Sequence, residues 1–274
     1  MKKLSLTSLV AASAALSVSG AMAHVGLLNT STPVAFPAST FAVAGTTNVI
    51  QFNAGHGCTL AESVPTLPSS ANLDTTKLEI TIPAAIVTAT TAASVRAVQS
   101  GAFGNVVKTV NGDGTVKFTF NKLAAPSAAD DQYYSVQISF KLPAAAATEI
   151  TKYQFPAVQT CTSGSTDYVM NWGTANSPKL TVFPDKRKGF NKYTLDSQTV
   201  LDFTAATGTA TLAAKLKSYF GDADIVWVGK SGYSANPNTK TKITALVAKD
   251  ATYSELGDKA GASIATTDNI WVKY

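Results

Sequence analysis

Tyr134-Ser135-Val136-Gln137-Ile138-Ser139-Phe140-Lys141-Leu142 alternates apolar and polar side chains without a break. Successive side chains of a strand point to opposite faces, so this run predicts a strand with one face in a core and the other in water. The same pattern recurs on either side of it. Leu78, Ile80 and Ile82 alternate with Lys77, Glu79 and Thr81 until Pro83 closes the run, and Val116, Phe118 and Phe120 alternate with Lys117 and Thr119. Asn111-Gly112-Asp113-Gly114, just before the last of these, is a strong turn signal. The chain through about Leu180 therefore reads as strands separated by Gly, Pro, Ser, Thr and Asn turns, with little helical periodicity. Antiparallel sheets with one wet face are the natural assembly, and a β-sandwich is the expected closure.

Beyond Asp185-Lys186-Arg187-Lys188, which reads as a solvated connection, the texture changes. Residues 209–220 place Leu212, Leu216 and Phe220 at helical spacing and stop at Gly221. Asn236 is positioned to cap a helix that starts with Pro237 and buries Ile243, Leu246 and Val247. Asp224-Ile225-Val226-Trp227-Val228 and Ile270-Trp271-Val272-Lys273-Tyr274 are strand-like. The expected class is thus mainly β, an antiparallel β-sandwich over 24–184 with a small α+β C-terminal appendage over 185–274.

The first 23 residues read as an export signal: Lys2 and Lys3, an apolar run from Leu4 through Leu16, and Ala21-Met22-Ala23 at the end. The apolar run is interrupted by Ser and Thr and falls short of the roughly 20 residues of a membrane span. Cleavage after Ala23 makes His24 the new N-terminus and sends the chain to the bacterial periplasm. It also removes two lysines, lowering the formal charge from +5 to +3. A balance that small, in a chain only 14% charged, argues against a nucleic-acid partner, while 45% hydrophobic residues predict a packed core. No later stretch is long and apolar enough to span a bilayer, so no transmembrane anchor is expected.

Cys58 and Cys161 are the two cysteines, and both fall in the exported part, where oxidation is favoured. They are expected to pair; the plainer alternative is two unrelated buried thiols.

The two histidines are His24 and His56. A terminal histidine offers its α-amine and its ring Nδ1 at a spacing that closes a chelate on one metal ion. One further ligand completes a T-shaped or square-planar set suited to Cu(II). The amine has a reference pKa of about 7.7–8.0, so Cu(II) displaces its proton near neutral pH. The plain alternative is a terminal histidine in a frayed start. His56 sits in Gly55-His56-Gly57-Cys58, after the strand expected from Thr47 to Asn53. Glycines on both sides and a disulfide next door are how a ligand is pre-positioned, although a turn histidine bonded to a backbone carbonyl has the same local sequence. Zinc is the weaker choice of metal, since paired sulfurs supply no thiolates.

Catalytic patterns are missing: there is no Gly-x-Ser-x-Gly, no phosphate loop and no His-Glu-x-x-His. Glu62, Glu79, Asp130, Asp131 and Asp167 are scattered and read as surface charges.

These residues carry a resemblance. His24-Val25, Phe52-Asn53-Ala54-Gly55-His56-Gly57-Cys58, Thr75-Thr76-Lys77-Leu78-Glu79-Ile80-Thr81-Ile82-Pro83, Phe155-Pro156-Ala157-Val158-Gln159-Thr160-Cys161, Trp172 and Pro178-Lys179-Leu180-Thr181-Val182 follow one another as they do in the YcnI-like copper-binding family. These are small exported β-domains whose mature chain begins with His-Val. The segment from Ile225-Val226-Trp227 to Ile270-Trp271-Val272-Lys273-Tyr274 is similar, less specifically, to the tail of longer proteobacterial members. The resemblance implies a copper site built on the terminal histidine, with a carboxylate ligand and a nearby tryptophan. His24 matches the chelating residue, and Trp172 matches the tryptophan, beside the metal rather than on it. The carboxylate has no clean match. His56 stands near its place, which would make a two-histidine brace, with Glu62 as the other candidate. The C-terminal membrane helix of some relatives has no counterpart here, so tethering is not implied.

The expected function is a periplasmic protein that holds one Cu(II) for storage, buffering or delivery, without turnover of its own, in exchange with other periplasmic copper-handling proteins. Two alternatives remain. A histidine brace is also the copper site of polysaccharide monooxygenases, although no flat aromatic substrate face is identifiable in the sequence. An exported adhesion or scaffold β-sandwich, with His24 incidental, is the other.

Overall fold

The computed structural model describes residues 25–30, 40–58, 63–67, 73–88, 92–99, 101–123, 134–173, 176–204, 212–256 and 263–274. The sandwich region supplies β1 (Gly26–Asn29), β2 (Phe41–Val43), β3 (Thr47–Ala54), β4 (Thr75–Ile82), α1 (Ala84–Thr88), β5 (Arg96–Gln99), β6 (Phe103–Val110), β7 (Val116–Lys122), β8 (Tyr134–Lys141), β9 (Glu149–Gln154), β10 (Ala157–Ser163), β11 (Thr166–Trp172) and β12 (Lys179–Phe183). The remainder supplies β13 (Phe190–Leu195), α2 (Leu212–Phe220), β14 (Ile225–Val228), β15 (Ser231–Tyr233), α3 (Pro237–Lys249), β16 (Ser254–Glu255) and β17 (Ile270–Lys273). Among the described residues no helix is long and apolar enough to cross a membrane.

Two sheets, ordered β1-β3-β8-β5 and β11-β10-β4-β7-β6, form an antiparallel sandwich. The alternating residues face one another across it. Ile50 and Phe52 on β3 and Val136, Ile138 and Phe140 on β8 share a core with Leu78, Ile80 and Ile82 on β4 and Val116, Phe118 and Phe120 on β7. Phe155 lies between the β3 and β8 rings, 5.5 Å from Phe52 and 5.7 Å from Phe140 between ring centres. The β6–β7 hairpin closes on the expected turn. Gly114 there has φ +83°, a left-handed value that only glycine adopts without strain, and its N–H donates to Asn111 O at 3.0 Å.

The third sheet has eight strands, β2-β12-β9-β13-β17-β14-β15-β16, and joins strands from before and after residues 184 and 185 through the pairing of β13 with β9. Its second core is aromatic: Phe41, Phe183, Tyr193, Phe203, Tyr219 and Phe220, joined by Leu212 and Leu216 of α2. The wall between the cores is β12. Leu180 and Val182 belong to the sandwich core and Phe183 to the aromatic one, as alternation on a strand buried on both faces requires.

The helix expected after Asn236 is α3. The Asn236 side chain accepts from the Asn238 N–H at 3.0 Å, and Pro237 opens the first turn. Ile243 is buried as expected, whereas Leu246 and Val247 are only half-buried. The packing contacts of α3 are with the short terminal strands β15 and β16, which cover less of its apolar side than a sheet centre would. Asp185, Arg187 and Lys188 of the 185–188 connection are exposed, as expected, and Lys186 is the exception. Lys186 ion-pairs with Asp222 and places its ammonium 4.2 Å over the Tyr274 ring.

Candidate metal centre

His24 and Glu62 lie outside the described residues; His56, Trp172 and both cysteines lie within them. The centre is therefore built from His56 outward.

Strand β3 ends at Ala54, and the chain turns through Gly55, His56 and Gly57 into Cys58. Three restraints hold this turn. Cys58 is disulfide-bonded to Cys161 on β10, with 5.9 Å between the Cα atoms, and accepts and donates backbone hydrogen bonds with Leu73. The Gln159 side chain donates to the His56 carbonyl at 2.8 Å and to Thr75 Oγ1 at 2.7 Å. Gln159 and Thr75 are both fully enclosed, so this amide is committed to holding the turn. The third restraint is on the ring. His56 Nδ1 contacts the Gly57 carbonyl, and because a carbonyl only accepts, this contact favours the tautomer with its proton on Nδ1. A histidine that binds a metal through one nitrogen commonly donates its other N–H to a backbone carbonyl, which fixes tautomer and ring orientation. The half-buried His56 has that arrangement, and its donor chemistry fits a copper ligand.

Trp172 closes β11 and is 3% exposed. It pairs directly with Ala157 on β10, and Gln159 lies two residues along, on the same face. Trp172, Cys58, Cys161 and Val25 all belong to the sandwich core. Val25 precedes β1, whose register pairs Gly26 with Asn53, so β1 runs toward its start as β3 runs toward the His56 turn.

The acids are deployed elsewhere. Glu79 pairs with Lys117 at 2.9 Å and Lys77 at 3.9 Å; burial alone would raise its pKa, but the two ammonium groups hold the carboxyl below its ordinary range. Asp167 accepts from Thr162 Oγ1 at 2.6 Å. Asp130 and Asp131 lie outside the described residues. Among the described residues no three His, Cys, Asp or Glu side chains converge, so any complete ligand set must draw on the others. Gln159 and Thr75 were missed as supports of the turn. Their signal was faint: polar residues at inward positions of strands inside the quoted blocks.

No protein-family model matches the chain, and no curated protein matches it. Among solved structures it is similar to an uncharacterised protein from Nocardia farcinica with an immunoglobulin-like fold, at 20% identity and a TM-score of 0.37, over 58% of this chain and 98% of that one. It is also similar to the seventh ScaB type I cohesin from Pseudobacteroides cellulosolvens, at 10% identity and a TM-score of 0.28, over 54% of this chain and 88% of that one. Likenesses this slight do not bear on what the chain binds.

Proposed function

We propose that the processed chain is a periplasmic copper-binding protein of the YcnI-like kind, holding one Cu(II) for storage, buffering or delivery. His24 supplies its α-amine and Nδ1, and His56 supplies Nε2. A donor set of three nitrogens would suit Cu(II). The observation that carries the reading is the register of β1 on β3. Val25 is buried in the core that holds Cys58 and Trp172, and its neighbour Gly26 pairs with Asn53, three residues before His56. One peptide unit, about 3.8 Å between Cα atoms, separates His24 from Val25. The described chain thus begins, at Val25, beside the end of β3 from which His56 follows, and the disulfide, Gln159 and the Gly57 carbonyl already restrain the His56 turn. A ligand ordered before the metal arrives loses little entropy on binding.

The test is electron paramagnetic resonance of the Cu(II)-loaded mature protein against His56→Ala. The variant is expected to lose part of the nitrogen hyperfine structure and to bind copper more weakly, with its β-sheet circular dichroism unchanged. An unaltered spectrum removes His56 from the ligand set and passes the role to Glu62 or another oxygen donor.

A further inference from the structure

The outer face of the third sheet carries an aromatic row that the copper reading does not use. Burial alternates on β13 and β17, so Phe190 and Lys192 point outward from the one and Trp271 and Lys273 from the other, while Trp227 points outward from β14. Register aligns them: Lys192 lies beside Trp271, Trp271 beside Trp227, and Trp227 beside Gly232 on β15. Tyr253 stands at the end of the row, its ring 6.0 Å from that of Trp227 and turned 72° to it. Trp271 is 45% exposed, and Phe190, which pairs with Lys273 two residues along the same face, is 62% exposed.

Gly232 shows how Trp227 is laid flat on the sheet. A Cβ there would stand 2.7, 2.8 and 3.1 Å from three atoms of the six-membered ring of Trp227. Near-equal distances to three ring atoms mean that the indole lies broadside on the strand, occupying the space a side chain would fill, with its other face outward.

The charges on this face narrow the ligand. Lys273 is paired with Asp224 at 3.3 Å, Lys192 holds its ammonium 6.0 Å from the centre of the Trp271 ring, and Lys230 holds its own 5.7 Å from that of Tyr253. Each cation is thus engaged with an anion or an aromatic quadrupole. Polyphosphate recognition needs lysines and arginines committed to phosphates, and anionic membranes need a similar excess. An indole laid broadside on the sheet beside a second outward indole, with the neighbouring cations already engaged, instead complements a ribbon of sugar rings. Such a ribbon presents C–H bonds from its ring faces and hydroxyls from its edges.

We propose that this face binds an uncharged, β-linked polysaccharide by stacking sugar rings on Trp271 and Trp227. The site stands independently of the copper reading. The test is depletion of the full mature chain from solution by microcrystalline cellulose and by chitin powder, with single-stranded DNA and anionic phospholipid vesicles run in parallel. At least one of the two polymers is expected to retain the protein. Trp271→Ala should weaken retention about tenfold or more, as loss of a central aromatic anchor does, while copper uptake stays unchanged. Gly232→Ala, which lifts the Trp227 ring, should weaken retention as well, and Trp271→Ala alone decides if Gly232→Ala misfolds. The proposal is overturned if both polymers leave the protein in solution, if Trp271→Ala is retained as well as the parent, or if DNA or vesicles retain the protein and the polymers do not.

Discussion

The sandwich core and the aromatic core are stabilised differently. In the sandwich, aliphatic and phenylalanine side chains from two sheets interdigitate, and the covalent Cys58–Cys161 link joins positions 103 residues apart. In the second region a cluster of rings packs under helix α2, and the link between β9 and the helices is ionic. Lys152 on β9 reaches Asp202 at 2.5 Å, and Tyr219 on α2 donates to the same oxygen at 2.5 Å. Reduction is therefore expected to act on the sandwich, while acid acts on the aromatic region through Asp202 and on the sandwich through Glu79. Their shared wall, β12, is where the two responses meet.

The largest effect tests that wall. Replacing both cysteines by serine should cost the sandwich about 4–5 kcal/mol on the chain-entropy model for a loop of this size. Because β12 gives residues to both cores, the near-ultraviolet signal of the aromatic region should shift its denaturation midpoint together with the far-ultraviolet signal of the strands. An aromatic midpoint that stays in place would show the cores to be independent.

Acid tests the ionic link of the aromatic region. Burial alone would raise the Asp202 pKa, but the Lys152 ammonium and the Tyr219 hydroxyl overcome it and hold the carboxyl below its ordinary range. A carboxylate depressed in the folded state contributes stability that is complete above its unfolded pKa, about 3.9, and is lost as pH falls through the lower folded value. Asp202→Asn should therefore flatten the decline in stability below about pH 4 relative to the parent chain, measured by urea titration at a series of pH values. An unchanged acid slope would remove Asp202 from the account.

The smallest effect concerns the edge of the second region. Asn236→Ala removes the cap of α3 and should cost about 1 kcal/mol, read as a small drop in helical circular dichroism midpoint. The depletion assay on Trp271 is expected to leave both cores untouched, since that side chain faces outward.

Much of the sandwich was legible because its strands are wet on one side. Tyr134 to Leu142 and Leu78 to Ile82 alternate, and alternation survives in a sequence whatever the partners are. Strand β12 was less legible: Leu180-Thr181-Val182-Phe183 is buried on both faces, so nothing in the order of residues tells which core each one enters. Phe41, Ile150 and Phe183 precede residue 185 yet pack with the helices that follow it, a long-range arrangement that local pattern does not contain. Lys186 looked like a solvated charge because its partners, Asp222 and Tyr274, are distant in sequence. Of the candidate centre, the restrained turn at His56 was readable from its flanking glycines, and the cysteine pair from the expectation of export. Trp227 and Trp271 were readable as strand residues but not as one face, which needed the register and the empty position at Gly232.

The central claim is that copper is held by an amine that exists only after cleavage before His24. One extra residue placed ahead of His24 turns that amine into an amide, whose proton is far less acidic, and removes one chelating nitrogen. The decisive measurement is copper retention against a competing chelator at neutral pH, comparing the processed chain with the extended one. The account predicts that both melt alike without metal, since a terminal residue adds little to the core, and that the extended chain gives up its copper at chelator concentrations orders of magnitude lower. Equal retention by the two chains would contradict it.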